Sequence, residues 1–454
     1  MMNAFKNYLL VLAMLLSGIN AEARSEMAAR AMSLQDCIEF ALRNSDTLKN
    51  ARLNISKQMA VNNQVRALAL PRVNLGGQLN YFPNPQQTLV PAGIFDGGQT
   101  EGYIPVQFTP SWGSQVSLSG SQTLFDGTVM VALKARNTIL DVVRQSAKLT
   151  EEDLRYQIQR AYFSNVIARA QYRNILRSLD VARDAAHDVE VLYQNGFAEK
   201  IDVDRSRVQL NNLETDSIRV SGLLETGEQA LKFVIGMNIT EPILLTDTSL
   251  QENLRNASLL LNDELDYNKR TEYNLLNTAL KLNEANLRRY QLAGYPTLNL
   301  LGSSGYNYAS NDFSDLTRFR KNYLFSTFVG LQLNVPVFNG LLRANQVREA
   351  RIEIDKTQNN IHQLKLALDF QASQSQVSLK NALLAAESQK RNMELANSVL
   401  DLAMRKYKAG VGSNLEVNQA QGDLLISQNN YYTTLLEVIN AQADAQKALG
   451  AFKD

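Results

Sequence analysis

Residues 391–416 read RNMELANSVLDLAMRKYKAGVGSNLE, a pattern that predicts the end of one long helix, a glycine turn and the start of a second helix. The 69 residues of segment 341–409 contain neither proline nor glycine, so the first helix is predicted to be roughly 100 Å long. Its last turns carry apolar residues at alternating steps of 3 and 4, the spacing of a coiled-coil seam: Met393, Ala396, Leu400, Ala403 and Tyr407. A helix of this length does not fit a compact core, and an elongated helical protein is predicted.

Composition removes several classes of function. The 454 residues carry a net charge of +1, with acidic and basic residues mixed along the helices, so no nucleic-acid partner is predicted. Cys37 is the only cysteine, which excludes internal disulfides and thiolate metal clusters. Neither a cofactor nor a metal site is predicted.

The first 23 residues have the features of a signal peptide. Lys6 precedes an apolar run over 8–19, and the small residues Ala21 and Ala23 fit a cleavage site. Export is therefore expected. Beyond this run the sequence has no apolar stretch approaching the ~20 residues of a membrane helix, so any membrane crossing is expected to use strands.

At four places the spacing of apolar residues changes from the helical period to a period of two. Apolar and polar residues alternate there over about ten residues, the length of a tilted transmembrane strand. A proline-rich loop joins the first two of these strands. The residues predicted to face the membrane are Val73, Leu75, Leu79, Tyr81, Val116, Leu118, Tyr306, Tyr308, Val329, Leu331 and Leu333.

The second half of the chain repeats the first. Phe125-Asp126-Gly127 corresponds to Phe338-Asn339-Gly340 at an offset of 213, and Gly196 corresponds to Gly410 at an offset of 214. The predicted first repeat, 24–236, has strands at about 72–82 and 114–124 and helices at about 34–70, 128–195 and 200–235. A connector with little regular structure is predicted at 237–262. The second repeat, 263–454, follows, with strands at about 297–309 and 323–336 and helices at about 263–293, 340–409 and 413–449.

Four strands cannot close a membrane barrel, because bacterial barrels begin at eight strands. The missing strands must come from other copies of the chain, two copies giving eight strands and three giving twelve. The polar second face of the strands, rich in Asn, Gln and Ser, favours the larger, water-filled barrel.

The order of these motifs resembles the TolC-type outer membrane efflux proteins over essentially the whole mature chain. The resemblance is carried by SLQDCIEFALRN at 33–44, LFDG at 124–127, PVFNG at 336–340 and YKAG at 407–410 with LEV at 415–417. It implies a mainly α-helical homotrimer with a twelve-stranded barrel in the outer membrane and a helical tunnel extending into the periplasm. It also implies a passive duct for efflux or type I secretion, opened on docking a periplasmic adaptor and an inner membrane pump of the RND, ABC or MFS type.

The resemblance further implies where the periplasmic aperture lies. Glu416 matches an acidic residue that forms a ring across the pore, Asp202 matches its partner on the outer helix pair, and Tyr407 matches a latch tyrosine. Gln419 and Gly412 depart from a second acidic and a basic position of the family. The alternative interpretation is that Glu416 is an exposed acid at a helix N-terminus and that Asp202 lies on a solvated face.

The helix turns are the expected adaptor contact. The first turn contains Gly196, Phe197 and Ala198, and the second contains Gly410, Val411, Gly412 and Ser413. Both Gly196 and Gly410 are expected at positive φ, closing a helix. Turn geometry alone is the alternative explanation for these residues.

Two other classes of function fit the sequence less well. An enzyme is disfavoured because His187 and His362 have no ligand partner at helical spacing and no phosphate loop or nucleophile elbow is present. A periplasmic coiled-coil scaffold fits the helices, and only the four strands argue against it.

Overall fold

A computed structural model describes residues 29–97, 101–247, 257–317 and 323–452. The predicted signal peptide, 1–23, lies outside the described residues. The chain divides into two compact units, one formed by 1–53, 145–274 and 363–454 and the other by 54–144 and 275–362. Among the described residues, no helix combines the length and the apolarity that a membrane span requires.

The second of these units contains a four-stranded antiparallel sheet. Its strands are β2 (Arg72–Tyr81), β5 (Trp112–Phe125), β7 (Thr297–Ser310) and β8 (Leu324–Asn334), in the order β2-β5-β7-β8. The register pairs Leu75 with Leu118, and Val116 with Tyr306. Because paired residues share a face of the sheet, the alternating apolar residues of all four strands lie on one side.

The two faces of this sheet differ in chemistry. On the apolar face Leu75 and Val329 are 75% and 79% exposed. The other face carries Asn, Gln and Ser, with hydrogen bonds such as Asn307 Nδ2 to Ser326 Oγ at 3.2 Å, and Phe328 is an exposed apolar exception. One side of the sheet therefore suits an apolar medium, and the other suits water.

Tyr308 corrects the set of residues predicted to face the membrane. It lies on the apolar face by register, but only 4% of it is exposed. Its ring stacks on Tyr323, with ring centroids 4.8 Å apart. A neighbouring aromatic ring covers the side chain, and the alternation of residues along the strand does not predict this contact.

The proline-rich loop between β2 and β5 has more structure than expected. It contains β3 (Gln87–Pro91), a one-turn helix α3 (Gly93–Asp96) and β4 (Tyr103–Gln107), with β3 and β4 paired antiparallel. Pro91 and Pro105 are members of this ribbon. A two-stranded ribbon consists entirely of edges, where proline is tolerated because its missing N–H can face outward.

The helices preceding the strands also differ from the expectation. The predicted helix 34–70 is two helices, α1 (Leu34–Asn44) and α2 (Asp46–Ala67), separated by Ser45 in an extended conformation. Ser45 N donates to Ala41 O at 2.8 Å, and Ser45 O accepts from Lys49 N at 3.0 Å. Serine is a favoured N-cap residue, so Ser45 ends one helix and starts the next.

One helix boundary and the content of the connector differ from the prediction. The predicted helix 263–293 is α6, Thr271–Leu292. Its start is delayed because the Asp266 carboxylate accepts from Asn268 N at 2.9 Å and holds a short 3₁₀ turn. The connector 237–262, expected to have little regular structure, contains β6 (Ile243–Leu245), paired in parallel with β1 (Arg30–Met32).

The buried core of the other unit surrounds these two short strands. Tyr162 is fully buried, and its hydroxyl donates to Met32 O at 3.2 Å and accepts from Asp247 N at 3.0 Å. The Asp247 carboxylate in turn accepts from Leu34 N at 2.7 Å, at the start of α1. Burial raises the pKa of the Tyr162 hydroxyl to about 12.

Two helical hairpins complete the fold. The first hairpin consists of α4 (Gly127–Gln194) and α5 (Lys200–Ile235), and the second of α7 (Leu342–Lys408) and α8 (Asn414–Leu449). Within the second hairpin Leu400 and Ala403 pack against Val417, Ala420 and Leu424. An apolar seam therefore joins α7 to α8 near their turn.

A glycine in β7 offers a test of the sheet. A Cβ at Gly305 would lie 2.5 Å from Val116 O and 2.7 Å from Ser117 Cα, whereas a Cβ at Gly302 would lie 3.5 Å from Phe328 O, an ordinary contact. We expect Gly305→Ala to force β5 and β7 apart and to cost about 1–3 kcal/mol, as overpacking does. The temperature at which the folded form converts to the unfolded band in gel electrophoresis measures this loss.

Gly302→Ala is the matched control and is expected to change stability by less than about 0.5 kcal/mol. Equal conversion temperatures for Gly305→Ala and the unsubstituted protein would contradict the β5–β7 register.

Candidate functional site

The candidate site is the pair of turns that close the two hairpins. Gly196 has φ 79°, and its N–H donates to Tyr193 O at 3.0 Å, while Phe197 N donates to Leu192 O at 2.8 Å. Gly410 has φ 73°, with equivalent bonds from Gly410 N to Tyr407 O and from Val411 N to Lys406 O. Both residues end a helix in the left-handed backbone conformation, which favours glycine because glycine has no side chain.

The returning helices start with different caps. Ser413 caps α8, its hydroxyl accepting from Glu416 N at 3.2 Å. Glu199 caps α5, and the Asp202 carboxylate accepts from Glu199 N at 3.4 Å in a capping box. The Asp202 carboxylate therefore has a structural role at its own helix start, whereas the Glu416 side chain is exposed.

Both turns present large apolar side chains to solvent. Phe197 is 81% exposed and Val411 is 78% exposed. Gly410 and Ser413 are exposed, while Ala198 and Gly412 are half-buried. An exposed phenylalanine and valine at helix turns form small apolar knobs that a partner protein could cover.

The packing around Gly412 explains why this position lacks the basic side chain that the resemblance implies. A Cβ at this position would lie 2.9 Å from both Lys406 Cβ and Tyr407 N, so the end of α7 leaves no room for a side chain. Gly412 N also donates to Lys406 O at 3.1 Å. The turn is tight here because residue 412 folds back onto the last turn of α7.

Tyr407 lies close to Asp202, one of the two carboxylates predicted with it at the aperture. It is half-buried beside the apolar seam of the second hairpin. Burial raises the pKa of its hydroxyl, and the carboxylates of Asp202 and Asp188 raise it further. Tyr407 and Asp202, predicted together, are thus close enough to interact electrostatically.

An exposed stripe runs along α8 from the turn. Its members are exposed and follow one another at steps of 3, 4, 3 and 4: Glu416, Gln419, Asp423, Ile426 and Asn430. The opposite side of the helix packs in the seam with α7. Asp423 is an acidic residue that the sequence reasoning missed. Continuing the count of 3 and 4 beyond Gln419 would have found it.

No resident cofactor or metal is indicated at the turns. Within the described ranges, no three His, Cys, Asp or Glu side chains approach one another closely enough to hold a metal ion. Cys37 is fully buried, and its burial raises the pKa of the thiol to about 12, which leaves it a poor ligand.

A sheet with one apolar and one polar face, together with two long helical hairpins, defines a class of channel proteins. The family model for outer membrane efflux proteins matches residues 37–237 and 274–451. The chain belongs to this family, whose members are outer membrane channels and not enzymes. The predicted resemblance and outer membrane location are thereby confirmed.

Individual relatives are distant. The chain is 22% identical over 432 residues to the probable efflux pump outer membrane protein TtgC of Pseudomonas putida, covering 92% of this chain and 83% of that protein. It is 22% identical over 320 residues to Protein CyaE of Bordetella pertussis, covering 68% of this chain and 64% of that protein. The match to CyaE thus spans slightly less than two thirds of that relative.

A solved structure supports the fold. The outer membrane protein VceC of Vibrio cholerae superposes with a TM-score of 0.69 at 16% identity, covering 92% of this chain and 96% of that chain. At this identity the likeness concerns the fold alone.

The tight turn at Gly412 can be tested directly. We expect Gly412→Ala to break the hydrogen bond from residue 412 to Lys406 O, because the added methyl group displaces the backbone. Amide hydrogen exchange of a peptide spanning 405–416 should then accelerate about tenfold or more, as when a buried hydrogen bond is lost.

Gly422→Ala, inside α8, is the control, because an added Cβ there would meet nothing within 4 Å. It should leave exchange in the turn unchanged. Protection of the turn that survives in Gly412→Ala would contradict the close approach.

Proposed function

We propose that this protein is the outer membrane channel of a tripartite efflux or type I secretion system. In this proposal three copies form a passive exit duct, with a twelve-stranded barrel in the outer membrane and helices extending into the periplasm. A periplasmic adaptor and an inner membrane pump of the RND, ABC or MFS type open it on docking. No nucleic acid takes part.

The unpaired edges of the sheet carry the proposal of several copies. β2 and β8 end the four-stranded order, and the other described strands pair only with each other. In lipid an unpaired edge leaves backbone N–H and C=O groups without partners, at a cost of several kcal/mol each. Pairing β8 of one copy with β2 of the next supplies those partners, and three copies give a lumen wide enough for water.

An exposed apolar stripe on α7 supports helix contacts between copies. Leu366, Phe370, Val377 and Leu384 are each more than half exposed in the single chain. The steps of 4, 7 and 7 residues keep them on one side of the helix. Such a stripe suits a helix from a neighbouring copy.

Internal duplication supports the repeats 24–236 and 263–454. Each half runs helix, strand, strand, long helix and returning helix. The long helices α4 and α7 have 68 and 67 residues, and the returning helices α5 and α8 both have 36. We infer that one ancestral unit of this kind was duplicated.

The partners follow from the exposed parts of the chain. The apolar strand residues contact outer membrane lipid, and the two turns contact the adaptor. With no nucleotide-binding motif in the sequence, the energy for transport comes from the pump. The name of the relative TtgC, a probable efflux pump outer membrane protein, agrees with such an assembly.

Assembly and conductance test the function. Extracted without heating, the protein should migrate as a trimer that heat converts to monomers, and the trimer should conduct ions across a planar bilayer. A monomer in mild detergent that gives no current would overturn the proposal and favour a periplasmic scaffold.

The carboxylates of the α8 stripe should set ion selectivity. Threefold symmetry would turn Glu416 and Asp423 into rings, and a carboxylate about 4 Å from an ion contributes about 1 kcal/mol even in water. We expect Glu416→Gln and Asp423→Asn each to lower the cation-over-anion permeability ratio about fivefold or less, measured as reversal potential in a salt gradient.

Asp204→Asn, an exposed acid on α5, is the control for these variants and should not change the ratio. Normal currents with unaltered selectivity in both stripe variants would remove the rings from the proposal.

Contact with the adaptor predicts a crosslinking pattern. A photoactivatable amino acid at Ala198 or Ser413 should capture the adaptor in cells that express the complete system. The same group at Val337, which is 92% exposed but precedes α7, is the control and should not capture it. Capture from Val337 alone would contradict adaptor contact at the turns.

A further inference from the structure

One contact in the unit that holds the four-stranded sheet joins the two halves of the chain. Gly127, the first residue of α4, is buried against Leu292, the last residue of α6. A Cβ at Gly127 would lie 3.0 Å from Leu292 Cβ and 3.3 Å from Leu292 O. The exit from β5 is therefore covered by the helix that leads into the neighbouring strand, β7.

The elements that make this contact occur twice in the chain. The helices α2 and α6 both have 22 residues and lead into PRVNL at 71–75 and PTLNL at 296–300, an offset of 225 that matches Ala67 to Leu292. Gly127 matches Gly340 at the offset of 213. The repeat therefore assigns Ala67 as the counterpart of Gly340.

Gly340 and Ala67 do not cover each other within one chain. β8, which leads to Gly340, and β2, which follows Ala67, lie at opposite ends of the order β2-β5-β7-β8. Neighbouring strands are about 4.8 Å apart, so roughly 14 Å separates these two edges. Both residues are exposed in the single chain, whereas Gly127 is buried.

The surfaces around both residues are apolar. On the segment that leads from β8 into α7, Val337 is 92% exposed and Leu341 is 62% exposed. Just after α2, Leu68 and Leu70 are 41% and 51% exposed. Two apolar surfaces at opposite edges of one chain gain free energy by burying each other between copies.

The backbone at Leu341 indicates that its side chain has a role. Its φ is 67°, and among the described residues it is the only one other than glycine with a positive φ. A Cβ crowds the backbone in this region, so the conformation is strained for leucine. A strained leucine persists where a contact of its side chain offsets the strain, yet in the single chain this side chain is largely exposed.

Pairing of the sheet edges between copies would bring the two segments together. All neighbouring strands of the sheet are antiparallel, and β8 would pair in the same way with β2 of the next copy. In an antiparallel pair the end of one strand lies beside the start of the other. Residues that follow Asn334 would then lie beside residues that precede Arg72 of the next copy.

We propose that the exit from β8 of one copy packs on the end of α2 of the next copy, with Leu341 against Ala67. This inference rests on the proposed assembly of several copies, and it names the contact that closes the ring where strands pass into helices. Inside the chain, Gly127 offers no side chain and meets a leucine. Between copies the sizes are exchanged, because Leu341 meets an alanine.

Heat stability of the trimer tests the contact. We expect Leu341→Gly to lower the temperature at which the trimer converts to monomers in gel electrophoresis by about 5 °C or more, because apolar burial between copies is lost. Relief of the strained φ alone would raise this temperature. Leu341→Met keeps the side-chain volume and should leave the temperature unchanged.

Exchanging the sizes of the two residues provides a matched control. Ala67→Leu should also lower the conversion temperature, because two leucines then crowd one place. In the double variant Leu341→Gly and Ala67→Leu the pair becomes glycine and leucine, as at Gly127 and Leu292, and the temperature should recover. Losses that simply add in the double variant would overturn the contact.

A crosslink identifies the partner of the segment. In the double variant Ala67→Cys and Leu341→Cys, each end of a short bis-maleimide adds one thiol across its double bond. Covalent dimers and trimers should appear in a denaturing gel, because the two residues of one chain lie at opposite edges of the sheet. Ala67→Cys with Leu324→Cys, at the far end of β8, is the control pair and should stay monomeric. Cys37 is fully buried and does not react.

The other candidate for covering the segment after β8 is lipid. A trimer that gives no crosslink from Ala67→Cys and Leu341→Cys, and whose Leu341→Gly variant converts at the unchanged temperature, would assign the segment to lipid. That result would overturn the contact and leave the proposed channel intact. An unsubstituted protein that forms no trimer would instead count against the proposed function.

Discussion

The structure depends on the hydrogen-bonding demand of backbone groups at the edges of a sheet. The order β2-β5-β7-β8 pairs the inner strands on both sides and leaves β2 and β8 with one free edge each. In water, solvent can hydrogen-bond the free backbone groups of such edges, but in lipid these groups require another strand. The exposed apolar face of the sheet, with residues such as Leu75 and Val329, makes lipid the medium that fits. This demand is the reason for the proposal that several protomers complete the membrane structure together.

A second constraint separates the contacts of the helices into two kinds. The seam within the second hairpin is apolar, as with Leu400 against Leu424, whereas the contact between hairpins beside the turns uses Asn414 and Ser206. Apolar contacts cost free energy whenever water reaches them, while polar contacts can exchange partners with water. The two interfaces therefore differ in the free energy that their exposure to water would cost.

Periodicity accounts for the parts of the fold that could be predicted. A strand has a period of two, so Leu75 and Leu118 could be assigned to one face without knowing their pairing. The burial of Tyr308 could not be predicted in this way, because it depends on Tyr323, which lies outside β7 and whose position the period of β7 does not give. Ser45 was missed because the residues around it continue a helical pattern, and a single capping serine interrupts the helix without changing composition.

In the candidate site, too, some residues could be predicted from the local sequence and others could not. Gly196 and Gly410 could be predicted because a helix that ends in the left-handed conformation needs glycine. Asn414 could not, because its partners lie on α5 and only the packing of two hairpins brings them together. Glu416 lies in the first turn of α8, where the helix dipole alone favours an acid, so its presence does not discriminate between a cap and a pore charge. Asp423 lies two turns further along, beyond the reach of the dipole, yet on the same exposed stripe. The helix dipole therefore does not explain the charge at Asp423, and a ring of these carboxylates across a pore stays a prediction.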